Sequence, residues 1–406
     1  MKFPQIGPAF VVTAAFIGPG TVITASIAGA NFGFALLWAL LFSTIATLIL
    51  QEMTARLGIV TQQGLGENIR QVCQTPILRS LAIVLVLSAI VVGNSAYQSG
   101  NISGASLGLA SLFEGFGVAV PFANTLFPLL IGVCAFILLI SGSYKLIEKA
   151  LIFLVALMSL AFMITFILTK PDIKVLVSGL LEPNIPDGAT LTVIALIGTT
   201  VVPYNLFLHA ASVSKKWYSV NQLSEARKDL MISIPLGGLI SMAILSTAAT
   251  AFFGQQFTIN SAADLAPSLQ PLFGDMASVF IGIGLFSAGI SSAITAPLAA
   301  AFALSGILGL NKSLQSIGFK IIWIVVLLLG VLGASTGYKP VVIIWFAQVA
   351  NGVLLPIVTI FLLWVMNTAL LGEYKNNVWQ NILGAIVVLI SLLLSGRSLL
   401  SAFGYY

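Results

Sequence analysis

Charge is what this sequence lacks most. Only 7% of its 406 residues are Asp, Glu, Lys or Arg, against 59% hydrophobic residues, and the mean hydropathy is +1.09. So few polar groups cannot coat a water-soluble globule, which leaves a chain that crosses a membrane many times. There is one histidine, His209, and there are two cysteines, Cys73 and Cys134, far apart in sequence. That scarcity gives neither a disulfide framework nor a zinc site, and redox chemistry has no support. With no phosphate loop, catalytic triad or His/Cys/carboxylate constellation, we expect no enzyme and no cofactor. The amino terminus, MKFPQIGPAF, has no small-residue cleavage pattern before its apolar run, so we expect it to stay in the mature protein.

What is present is a succession of apolar windows long enough to span a bilayer. They fall near 8–31, 34–55, 77–111, 120–143, 147–169, 189–212, 230–253, 275–309, 317–337, 339–366 and 377–402, and predict about eleven helices, numbered here as spans 1 to 11. With the amino terminus in the cytoplasm, thirteen Lys and Arg residues fall inside and only Lys170, Lys174, Lys339 and Arg397 outside. That asymmetry sets the expected orientation in an inner membrane. It also accounts for the net charge of +5 without a nucleic-acid partner. The lipid bilayer is the expected setting, and the sequence names no protein partner.

Two spans are badly suited to staying helical. Span 1 carries Gly18-Pro19-Gly20 inside FIGPGTVITAS, and span 6 reads IALIGTTVVPYNLFLHAAS, with Gly198, Pro203 and a run of Thr, Tyr and Asn. Backbone groups released by a break in lipid must be satisfied by protein or by a cavity. Two breaks five spans apart predict an inverted repeat of five plus five helices with a midplane site between them. A single transmembrane domain over 1–406 is expected, with one repeat at about 8–169, the second at about 189–366 and an extra helix at about 377–402.

Along nearly its whole length the chain resembles the Nramp metal-ion transporters, an all-α family whose LeuT-like fold the resemblance implies. Where that family carries Asp-Pro-Gly-Asn, this sequence has Gly18-Pro19-Gly20-Thr21. Where the family carries Met-Pro-His and then Asn-Leu-Tyr-Leu-His, it has Val202-Pro203-Tyr204 and then NLFLHAAS. Supporting similarity lies in ARLGIVT, KPDIKVLVSGLLEPNIPDG, SAGISSAITAP and AQVANGVLLP.

The departures fall on the residues that touch substrate in the family. A divalent cation at the midplane loses hydration that a carboxylate normally offsets, and Gly18 stands where that carboxylate would be. The soft thioether that favours transition metals is replaced by Val202. The candidate binding set is therefore neutral: Gly18, Gly20, Thr21, Thr199, Thr200, Val202, Tyr204, Asn205, Gln348, Asn351 and backbone carbonyls at both breaks. Such oxygens suit a hard cation that keeps some of its water, Mg²⁺ or Mn²⁺. They equally suit a small neutral or zwitterionic organic solute held at a half-helix N-terminus.

The family's proton route is also altered. Span 3 carries Asn94, Gln98 and Asn101 rather than acids, groups that do not titrate near neutral pH. Asn94, Gln98 and His209, which matches the family's second span 6 histidine, are the candidates for gating or a proton path. His209 equally fits a helix-packing role. Elsewhere, Glu52 and Arg56 are spaced for an i,i+4 pair, Glu148 for an interfacial pair with Lys145 or Lys149, and Glu67 for a solvated loop or a cytoplasmic brace. The sequon at Asn101 lies within span 3, out of reach of glycosylation.

Three functions remain open from sequence. One is a divalent-cation carrier working by alternating access, weakly coupled or uncoupled to protons, with spans 1, 2, 6 and 7 rocking against 3, 4, 8 and 9. The others are a carrier of a small organic solute such as an amino acid, and a non-transporting sensor or partner subunit.

Overall fold

The computed structural model describes residues 7–9, 13, 17–118, 120–141, 145–255, 257–311 and 313–402 of the chain. The side chains of 145, 146 and 148 lie outside this description, and with them the pair expected at Glu148. Ten helices among the described residues are long and apolar enough to cross a membrane. Their boundaries are Leu37–Thr61 (span 2), Pro76–Gly115 (span 3), Ala123–Ser141 (span 4), Lys145–Thr169 (span 5), Leu223–Phe252 (span 7), Ala277–Leu308 (span 8), Ile317–Ala334 (span 9), Pro340–Val365 (span 10) and Val378–Ala402 (span 11), with span 6 in two pieces, Thr190–Thr200 and Pro203–Lys216. Span 1 precedes them and is described from Ile17 onward, its helix running Pro19–Phe32.

These helices form because long Leu, Ile, Val and Ala runs satisfy every backbone group internally in lipid. The side chains turned outward are themselves apolar: Leu129, Val133 and Ile137 on span 4 and Ile167 and Leu168 on span 5 are each about half exposed or more. In water such a surface would drive aggregation; against acyl chains it costs nothing. Inside, span 3 packs along spans 8 and 10, and span 1 along span 7. Small residues permit this approach. A Cβ at Gly108 would lie 2.5 Å from the Gly282 carbonyl oxygen, and one at Gly289 2.5 Å from the Ala105 amide nitrogen.

Several short elements lie between the spans. Leu65–Val72 is an amphipathic helix after span 2 that buries Leu65, Asn68 and Ile69. It carries Glu67 half-buried with its carboxylate beside Gly306 of span 8, so this residue is part of a packed surface rather than a solvated loop. Ile173–Leu181, after span 5, is capped by Asp172, whose carboxylate accepts from the Lys174 amide at 2.8 Å. A 3₁₀ turn at Ala369–Tyr374 joins spans 10 and 11.

Toward the C-terminal end of span 2 the expected Glu52–Arg56 pair is present at 3.1 Å. It belongs to a larger cluster. Arg56 also donates to the carbonyls of Tyr374 and Lys375 at 2.9 and 3.2 Å, to Asn376 Oδ1 at 2.7 Å and to Gln380 Oε1 at 3.2 Å. The other Glu52 oxygen takes Arg227 of span 7 at 2.8 Å. Arg56 and Glu52 together thus tie spans 2 and 7 to the turn before span 11 and to its first residues.

Candidate functional site

Both expected breaks are there. Gly18 is extended (φ −105°, ψ −174°) and is followed by Pro19 at the first helical position, where its missing N–H removes nothing the helix uses. In span 6, Val201 (ψ 77°) and Val202 (φ −83°, ψ 122°) leave the helix before Pro203 restarts it. Pro203 is disposed to start a helix and pushes Val202 into extended backbone. Each break leaves helix-end amides and carbonyls without intrahelical partners in the middle of the bundle.

The two breaks meet. Thr21 Oγ1 and Thr199 Oγ1 are 2.9 Å apart. A Cβ at Gly20 would overlap the Gln348 amide, and one at Gly198 the Gln348 carbonyl oxygen. Span 10 therefore lies against both, with Gly352 also closing on the Ile194 carbonyl. Thr47 of span 2 reaches the Thr200 carbonyl at 3.5 Å.

This junction is polar, neutral and buried. Thr21, Thr199, Thr200, Tyr204, Asn205, Gln348 and Asn351 are each at most 1% exposed. Several of their atoms have no hydrogen-bond partner among the described residues: Asn205 Nδ2 and Oδ1, Gln348 Oε1 and Asn351 Nδ2. Buried amides left unpaired cost about 1–3 kcal/mol each, and such a cluster in one place is the mark of a site that pairs with something else. The Thr200 hydroxyl is different, because it donates to the Leu196 carbonyl at 3.1 Å within its own helix. Val202 adds an apolar wall. Spans 1, 6, 8 and 10 contain no Asp or Glu, and span 3 has none before Glu114. Among the described residues no three His, Cys, Asp or Glu side chains cluster as metal ligands.

Asn94 and Gln98 lie beside this junction without entering it. Asn94 donates to the Ala296 carbonyl at 3.3 Å and Gln98 to the Ala293 carbonyl at 2.9 Å, both on span 8, and Gln98 packs on Gly330 of span 9. Tyr97 and Gly104 of span 3 meet the breaks, and Asn101 shares their helix face. The Tyr97 and Tyr204 ring centroids are 5.4 Å apart, Gly104 meets Pro19, and Asn101 sits between them at i+4 and i−3 on the same helix face. Asn101 is 1% exposed and its Nδ2 has no partner among the described residues. The glycines at 93, 100 and 104 carry the signal that identifies this face, since each touches span 10 or span 1. His209, 1% exposed, pairs through Nδ1 with Thr54 Oγ1 of span 2 at 3.0 Å.

A separate cavity of about 360 Å³ lies to one side of the junction, lined by Ile27, Asn31, Thr192, Ile259 and Trp345 among others. Trp345 is one turn from Gln348, and Thr192 two turns from Thr199, so the cavity floor is about 5–10 Å from the breaks.

Paired breaks between packed spans define a polytopic membrane protein of the LeuT-like fold. The Eremococcus coleocola manganese transporter, solved with an aromatic bis-isothiourea compound, superposes with a TM-score of 0.78 at 22% identity, covering 97% of this chain and 86% of that one. MhsT in complex with L-phenylalanine gives 0.65 at 16% identity, covering 97% and 98%. A family model, natural resistance-associated macrophage protein-like (Nramp), matches residues 9–401. The chain belongs to the Nramp family. The divalent metal cation transporter MntH of Yersinia pestis (strain Pestoides F) is 29% identical over 409 residues, covering 99% of this chain and 96% of the relative. MntH of Klebsiella pneumoniae (strain 342) is 27% identical over 412 residues, covering 98% and 94%.

Proposed function

We propose that this protein is a secondary-type carrier of a divalent cation, Mg²⁺ or Mn²⁺, that works by alternating access and without tight proton coupling. The observation that carries the reading is the buried neutral junction between the two breaks, where Thr21, Thr199, Asn205, Gln348 and Asn351 present hydroxyl and amide oxygens. The names of the MntH relatives and of the manganese transporter support a divalent cargo. The absence of a carboxylate or thioether in the junction favours a cation that keeps part of its own water, because neutral oxygens replace an outer shell more readily than an inner one.

We place the amino terminus in the cytoplasm of a bacterial inner membrane, on the Lys/Arg asymmetry of the loops. In that orientation the outer ends and loops hold six acids (Glu114, Asp172, Glu182, Asp187, Asp264 and Asp275) against four bases. This balance raises the local cation concentration at the outer cavity. The cation enters there and passes to the junction. Rocking of spans 1, 2, 6 and 7 against 3, 4, 8 and 9 then opens the inner side, the two repeats meeting at the breaks. Direction follows the substrate gradient.

The test is uptake into vesicles holding the purified protein, with Mg²⁺, Mn²⁺ and Ca²⁺ beside a panel of amino acids and a pH-sensitive dye inside. Divalent-cation uptake without matching acidification is the expected result. Amino-acid uptake alone would replace the cargo with an organic solute, and a silent panel would favour a sensor or partner subunit.

A further inference from the structure

A doubly charged ion at the bilayer centre needs counter-charge, and this junction supplies none from its own side chains. What it does supply is the opposite polarity. The helix Pro19–Phe32 begins at the junction, and its first turn presents the Gly20 N–H and the positive end of the helix dipole. No acidic residue lies in that turn and no side chain caps it. On the span 3 face that meets this end is Asn101, 1% exposed, whose amide Nδ2 has no partner among the described residues; Asn101 stands between Tyr97, which meets Tyr204, and Gly104, which meets Pro19. Asn205 Nδ2 and Asn351 Nδ2 are likewise buried donors without acceptors among the described residues. Donors of this kind repel a cation and its oriented waters, yet suit an anion.

We propose that the N-terminal end of the Pro19–Phe32 helix, with Asn101 opposite it, seats a small monovalent anion, a carboxylate or chloride, that crosses together with the cation. The inference rests on the cation reading above and adds the partner ion. The amide donors hold the anion, while Thr21, Thr199 and Gln348 Oε1 offer oxygen to the hydrated cation beside it. The pair carries less net charge across the midplane than the cation alone, so the cargo brings the neutralisation that the protein lacks.

The experiment uses the full-length protein in vesicles with Mg²⁺ or Mn²⁺ supplied as gluconate salts, whose six-carbon polyhydroxy carboxylate is not the small anion proposed, and to which acetate or chloride is added. Cation uptake should rise severalfold with one of these anions, and radiolabelled acetate, or a chloride-sensitive dye, should report anion entry only when the cation is present. The active anion separates the two sources. Gly18→Asp, which adds a fixed carboxylate, should make cation uptake independent of the added anion. Asn101→Ala should require about tenfold more anion for the same uptake, the loss of one hydrogen bond to a charged group. Equal cation uptake in gluconate, acetate and chloride would overturn the inference and leave the cation reading standing. Anion entry that ignores the cation would overturn it as well. Failure of cation uptake under every anion would remove the cation reading first.

Discussion

Thr21 and Thr199, 178 positions apart, meet hydroxyl to hydroxyl at 2.9 Å in the buried space between the two helix breaks. One donates and the other accepts, so the pair holds spans 1 and 6 at a fixed distance. This contact is neutral. A shift of either half-helix would break it, which makes it a suitable joint between elements that move together.

The first prediction concerns that joint. Thr21→Ala or Thr199→Ala leaves the other hydroxyl without this partner and should cost about 1–2 kcal/mol of stability. The double variant should cost little more than either single one, giving a coupling of about 1 kcal/mol in a double-mutant cycle read by thermal unfolding in detergent. Uptake by either single variant should fall about tenfold, if most of that energy is lost where the substrate binds.

Close approach of spans 6 and 10 gives the second. A methyl at Gly198 would run into the Gln348 carbonyl, a backbone atom that cannot swing aside. Gly198→Ala should therefore destabilise by about 1–3 kcal/mol and reduce uptake. At Gly318 the added Cβ meets only the tip of Leu310 at 3.4 Å, so Gly318→Ala should stay within about 0.5 kcal/mol of the parent. Equal melting temperatures for the two variants would contradict the packing described here.

The cluster around Glu52 and Arg56 gives the third. The Arg56 side chain is 3% exposed and that of Arg227 is 48% exposed, though both touch Glu52. Arg56→Gln strips the carbonyls of Tyr374 and Lys375 of their charged donor and should cost about 2–4 kcal/mol, somewhat less than an isolated buried pair because Arg227 still neutralises Glu52. Arg227→Gln should cost less than about 1 kcal/mol, and that effect should shrink in high salt. Urea or thermal unfolding in detergent ranks the two.

His209 gives the fourth. It is the one histidine of the chain, and its bond to Thr54 ties span 6 to span 2. If that bond is its role, His209→Gln keeps the dependence of uptake on pH unchanged while lowering the melting temperature, and no proton influx accompanies cation uptake in either protein. Acidification of the vesicle interior in step with uptake by the parent alone would assign His209 to a proton path instead.

The spans and both breaks were legible because lipid imposes a composition that periodicity cannot hide, and because Gly18-Pro19-Gly20 and Val202-Pro203 contradict it locally. Rotation of span 3 was not legible in the same way. Asn94 and Gln98 look as suitable as Asn101 in one dimension, yet which face turns inward is decided by Gly93, Gly100 and Gly104, which let spans 10 and 1 approach. Packing also decides that Tyr97 meets Tyr204. Span 7 begins at Leu223, earlier than its apolar run implies, because Leu223, Ala226 and Leu230 bury one face of a charged extension. Charged residues on the other face mask that extension from a hydropathy window.

The most direct test of the central claim is initial-rate uptake of Mg²⁺ and Mn²⁺ into vesicles by the parent, by Asn205→Ala and by Gln348→Ala, with the exposed Gln255→Ala as control. The account predicts that both junction variants lose about tenfold or more of the parental rate, the cost of a lost ligand at a charged site, while Gln255→Ala keeps it. Parental rates in Asn205→Ala and Gln348→Ala, with all four proteins equally folded, would contradict a substrate site at the meeting of the two breaks.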